Sequence, residues 1–110
     1  MTAEILSREV FDELGDVVGR EKLMRLRERF VAALRTAFDG AERGNDDGAR
    51  EAHTLISMAG MLGCERLSQA CRALERAAKG GDDLAQPLAD IRALRDRTIE
   101  ALEAVGPARA

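Results

Sequence analysis

Apolar residues recur along this chain at steps of three and four, the spacing of an α-helix, and glycines punctuate the pattern. A first stripe, Val10, Phe11, Leu14, Val17 and Val18, predicts a short helix from about Ser7 to Val18. Ser7 stands where an N-cap belongs, although Val10 lacks the Glu side chain of a full capping box. Gly15 weakens the segment and Gly19 ends it. A helix this short is expected to lie across the others as a lid. The second stripe is longer: Leu23, Leu26, Phe30, Val31, Ala33, Leu34, Ala37, Phe38 and Ala41 predict a helix from about Glu21 to Arg43. Its other face carries Lys22, Arg25, Arg27, Glu28, Arg29, Arg35, Asp39 and Glu42, which read as solvated charges. Gly40 costs about 1 kcal/mol relative to alanine, so the last turn is expected to fray.

The clearest break is Gly44-Asn45-Asp46-Asp47-Gly48, a helix stop followed by N-cap residues. A third helix then runs to about Leu62, with Gly63 as a tight exit. The fourth spans about Cys64 to Lys79 and buries Cys64, Leu67, Ala70, Cys71, Leu74, Ala77 and Ala78. Gly80-Gly81-Asp82-Asp83 separates it from a fifth, from about Asp83 to Val105, with Leu84, Leu88, Ile91, Leu94, Ile99, Leu102 and Val105 inward. Pro87 fits only in the first turn of that helix or at a kink just after it. Gly106-Pro107 closes it, and a frayed tail is expected to follow. Short loops force neighbouring helices to run antiparallel. The predicted fold is therefore all-α: an up-down-up-down four-helix bundle with a short N-terminal lid helix, one domain over residues 1–110.

The third helix carries the only histidine, His53. On a helical wheel its apolar side centres on Leu55, with Ala52, Ala59 and Leu62, and Met58 on the flank. His53 lies roughly 160° from Leu55, on the outer side. Its wheel neighbours are Ala49, Ile56, Ser57 and Gly60, three of them small. Little bulk screens the imidazole, the one side chain type whose ordinary pKa lies near neutrality. At this level two readings stay open: an accessible nucleophile, or an ordinary surface histidine.

Composition narrows the classes. The chain is 45% hydrophobic and 34% charged, which suits a globular domain, and aromatic content is only 3%, so the core is aliphatic. The net charge is −3, with 17 basic against 20 acidic residues, and leaves no surplus for a phosphate backbone; no nucleic-acid partner is expected. No apolar run reaches the roughly 20 residues of a membrane span. Met1-Thr2-Ala3-Glu4-Ile5 lacks a basic-then-apolar signal, so a cytoplasmic protein without membrane attachment is expected. Cys64 and Cys71 share one helical face roughly 10 Å apart along the axis, too far for a disulfide. They read as buried, reduced thiols, and with one histidine no zinc site is expected. No Walker loop or glycine-rich nucleotide box is present, so an independent enzyme is not expected.

From Ala52 to Glu75 the chain resembles the histidine phosphotransfer (HPt) domains of two-component phosphorelays. Their pattern is His-x-Leu-Lys-Gly, small residues, Leu-Gly, then a helix with Leu, often Cys, and Leu-Glu. This chain has His53, Leu55, Leu62, Gly63, Leu67, Cys71, Leu74 and Glu75 at those places. The resemblance implies a phosphocarrier with the HPt fold and no cofactor of its own. His53 would accept a phosphoryl group through Nε2 from a receiver-domain aspartate or a histidine kinase, and pass it to another receiver. The receiver would bring the Mg²⁺ ion. The phosphotransfer domains of chemotaxis kinases look similar, with a glutamate at the spacing of Glu75, which would accept a hydrogen bond from Nδ1–H. Ser57 and Arg50 would support the site, with Arg66 a further candidate cation, and Ala49, Ile56 and Gly60 would form the docking face. Two positions depart from the pattern. Ile56 replaces the lysine three residues after the histidine and removes a charge-assisted contact to phosphate. Ser57 replaces the glycine that follows. These departures keep a second function in view, a helical adaptor that binds receivers or kinases without transfer. A monomer is expected, since no second apolar stripe is left over.

Overall fold

The aliphatic stripes become helices because each lets one side bury leucine, isoleucine and phenylalanine while the other keeps its charges in water. The computed structural model describes residues 5–39 and 45–105, with side chains from Arg50 onward in the second stretch. It holds α1 (Arg8–Val18), α2 (Arg20–Thr36), α3 (Asn45–Met61), α4 (Glu65–Lys79) and α5 (Ala85–Ala104). No strand occurs among the described residues. Contacts join α3 to α4, α4 to α5, α5 to α2, and α1 to both α2 and α3. One core runs through the molecule, with Phe30, Leu34, Phe38, Leu62, Leu67, Leu74, Leu88, Ile91 and Leu102 sealed from solvent.

Ser7 caps α1 as expected, its hydroxyl accepting the Val10 N–H at 3.3 Å. Only Phe11 of the first stripe is buried; Val17 is 82% exposed and Val10 partly so. Pro87 is the third residue of α5, where its missing N–H leaves no intrahelical bond unmade. Gly40, Ala41, Gly44, the side chains of residues 45–49 and the Gly106-Pro107 exit lie outside the described residues, while residues 45–48 of the expected Gly44–Gly48 break already belong to α3.

The second helix is shorter than its stripe predicts. α2 stops at Thr36, not near Arg43, because Ala37 turns extended and Phe38 adopts φ +70°. That left-handed conformation costs a non-glycine residue roughly 1–2 kcal/mol. Full burial of the Phe38 ring returns about as much or more. Three side chains then hold the turn. Glu51 Oε1 accepts the Phe38 N–H at 2.7 Å, Arg92 donates to the Phe38 carbonyl at 2.8 Å, and Arg95 donates to the Ala37 carbonyl at 2.7 Å. Tertiary contacts from α3 and α5 thus override the helical period.

Arg27 also departs from the solvated face assigned to it. It is buried, and its Nη1 donates to the Leu102 carbonyl at 3.1 Å in the last turn of α5. A cation at that end of a helix meets the negative pole of the backbone dipole. Ala33, placed on the apolar face, is exposed instead. Arg35 pairs with Glu103 and ties α2 to α5 at the surface. Both cysteines are free and fully buried, and burial pushes each thiol up to about 12, so neither ionises at neutral pH.

The α3–α4 turn positions everything discussed next. Cys64 N–H bonds to the Ala59 carbonyl at 2.7 Å and Gly63 N–H to the Gly60 carbonyl at 3.2 Å, a Schellman ending with Gly63 at φ +92°. Gly63 also accepts the Ser7 N–H at 2.8 Å, and a Cβ at Gly63 would meet the Ser7 carbonyl oxygen at 2.7 Å. Replacement by Gly63→Ala is expected to cost about 1–3 kcal/mol, from strain at positive φ and from the backbone clash, read as a lower urea midpoint at unchanged slope.

Candidate functional site

The apolar side of α3 faces the core as the wheel requires: Ala52, Ala59 and Leu62 are fully buried and Leu55 nearly so. His53 therefore points outward, its side chain 76% exposed. Opposite it, α4 turns Leu67, Cys71 and Leu74 into the core. Glu75, next after Leu74, lands at the edge of the α3–α4 seam with its side chain only 18% exposed. Small residues let the helices lie close: Ala52 and Ala59 on α3, Ser68 and Cys71 on α4. Ser68 is buried and donates its hydroxyl to the Ile56 carbonyl at 3.2 Å, a polar tie across the seam.

This packing brings Glu75 Oε2 within 3.1 Å of His53 Nδ1. The same oxygen lies 3.3 Å from Lys79 Nζ. The Lys79 hydrogen bond, with its charge and a lesser contribution from His53, holds the Glu75 carboxyl below the usual carboxylate range despite some desolvation. An ionised carboxylate only accepts hydrogen bonds. The proton between the pair therefore sits on Nδ1, and in the neutral ring Nε2 keeps its lone pair.

The other predicted residues fall as follows. Ile56 is half-buried, Ser57 is exposed, and Gly60 lies half-exposed on the same outer side. The Ser57 hydroxyl has no partner among the described residues. Arg50 is exposed, and among the described residues its guanidinium makes no ion pair. Arg66, a candidate cation for this face, instead lines a groove between α4 and α5 with Ala70, Pro87, Ile91 and Arg97. Between α2 and α3, a depression of about 260 Å³ is lined by Ala33, Ala37, Arg50, Glu51, Thr54 and Leu55. Spacing on α4 offers Arg72 or Lys79 as a surface partner for Glu75 without giving either a part in the site, and it gives none to Ser68. Lys79 carries a readable signal, four residues after Glu75 in the favourable Glu-to-Lys order. Ser68 carries none, since a buried serine looks like any polar helix residue before α3 is seen beside it. Among the described residues no group of His, Cys, Asp or Glu side chains is arranged to hold a metal ion. Among the described residues no helix is long and apolar enough to cross a membrane.

A family model described as Hpt domain matches residues 20–105. Searches of curated proteins and of solved structures gave no match.

Gly60 offers a probe of this face that spares the fold. A Cβ built there meets only Ser68 Oγ, at an ordinary 3.9 Å. Replacement by Gly60→Ala is expected to leave the helical content unchanged and to raise stability by up to about 1 kcal/mol, measured by urea unfolding.

Proposed function

The chain belongs to the Hpt domain family, and from that premise we propose that it is the phosphocarrier of a phosphorelay with His53 as the phosphoryl acceptor. The observation that carries this reading is the exposed imidazole whose Nδ1 is engaged by Glu75 and whose Nε2 has no partner among the described residues. In the forward step the Nε2 lone pair attacks phosphorus of a receiver's aspartyl phosphate. The N–P bond forms as the P–O bond to aspartate breaks, and that electron pair leaves with the aspartate carboxylate. The ring, still protonated on Nδ1, gains positive charge, which the Glu75 carboxylate offsets at hydrogen-bond distance. A second receiver aspartate reverses the step. Mg²⁺ would be supplied by the receiver and would offset charge on the phosphoryl oxygens.

The flat outer side of α3 suits docking against a receiver. Ile56 offers apolar area, Gly60 and Ala49 offer little bulk, and Ser57 offers a hydroxyl that has no partner among the described residues. Arg50, one turn before His53, supplies a positive charge on the same helix. This reading takes the four long helices to run up-down-up-down with α1 as a lid. It takes the protein to act as a cytoplasmic monomer on receiver and kinase domains, without nucleic acid or membrane, and without catalysis of its own. Ile56 in place of the family lysine favours a second reading, an adaptor that binds receivers or kinases and transfers nothing.

One experiment separates the two. The domain is incubated with a phosphorylated receiver or an active kinase and assayed for acid-labile, base-stable label. Label is expected on the wild type and absent in His53→Gln. Replacement by Glu75→Gln is expected to slow labelling by roughly 10- to 100-fold, with receiver binding retained. Binding without label in the wild type would support the adaptor and end the carrier reading.

A further inference from the structure

We propose that Lys79 is a positioning residue for His53, acting through Glu75. The inference rests on the reading of His53 as the acceptor. Its ground is one shared atom: Glu75 Oε2 lies 3.1 Å from His53 Nδ1 and 3.3 Å from Lys79 Nζ. The Glu75 side chain is 18% exposed, whereas His53 and Lys79 are 76% and 71% exposed. The carboxylate is thus the most shielded of the three groups, and the lysine holds the same oxygen that the imidazole reaches. Lys79 is the last residue of α4, where the helix dipole favours a cation. The other basic residues on these helices, the half-buried Arg66 and the exposed Arg50, Arg72 and Arg76, make no ion pair with Glu75 among the described residues.

The chemistry needs such a partner. A carboxylate on a rotatable side chain orients an imidazole only while it stays within reach of Nδ1–H. An ammonium on the same oxygen restricts that rotation while leaving the oxygen able to accept from Nδ1–H. Glu75 is then kept in place against the ring. The lysine that family members carry three residues after the histidine would stand on the histidine's own helix. Here the positive charge stands on α4 beside the carboxylate it holds.

The test is a double-mutant cycle read as the rate of phosphoryl acceptance from a phosphorylated receiver at saturating and sub-saturating concentrations. Lys79→Met is expected to lower the saturated rate roughly two- to fivefold, the scale of an exposed charge pair, with half-saturation unchanged. Lys79→Arg restores most of that rate. In a Glu75→Gln background, Lys79→Met is expected to change nothing further, because its action passes through the carboxylate. An equal loss in both backgrounds would show that Lys79 acts without Glu75 and would overturn the inference. So would a Lys79→Met rate equal to wild type. A wild type that takes no label brings down the acceptor reading and this inference together, whereas a labelled wild type indifferent to Lys79 brings down the inference alone. Lys79 is exposed, so its variants are expected to keep the wild-type circular dichroism spectrum.

Discussion

The close approach of α3 and α4 is the constraint on which the site depends. Gly63 permits it, because a positive φ and the absence of a Cβ let the chain reverse within a single Schellman turn against the Ser7 backbone. Alanine, serine and cysteine along the seam then keep the two helices near each other. His53 and Glu75 lie equally far from Cys64 along the chain, one on each arm of this hairpin. Their contact at 3.1 Å is a consequence of that symmetry. A bulkier seam or a looser turn would separate them without touching either residue.

The helical stripes were legible because each obeys one period over several turns, and burial follows them closely on α3 and α4. The outward direction of His53 followed from the same arithmetic. Failures cluster where distant parts of the chain decide the outcome. The end of α2 is set by Phe38 entering the core and by Glu51, Arg92 and Arg95 holding its backbone, and no local signal announces those partners. Arg27 reads as one more surface charge until the end of α5 is seen beside it. At the site, the spacing of Glu75 was visible through the family resemblance, while the polar tie from Ser68 to Ile56 needed the packed helices.

Charge at the site is arranged economically. The chain has a modest net negative charge and one histidine, so its chemistry must come from position. Glu75 serves as the hinge of that arrangement. Its side chain is half-buried, its carboxyl is held below the usual carboxylate range, and one of its oxygens is shared by an imidazole and an ammonium. The arginine-locked turn at Ala37–Asp39 lies beside the depression that borders α3 on the α2 side. The same helix that presents the imidazole therefore also anchors the end of α2 through Glu51.

The central claim is that Glu75 reserves Nδ1 and so directs phosphorus to Nε2. The most direct measurement is heteronuclear NMR of the histidine-labelled protein after phosphorylation by a receiver, which is unambiguous because the chain has a single imidazole. The account predicts phosphorus coupled to Nε2 and a proton retained on Nδ1. Phosphorus on Nδ1, or label on the protein with an unmodified imidazole, would contradict it.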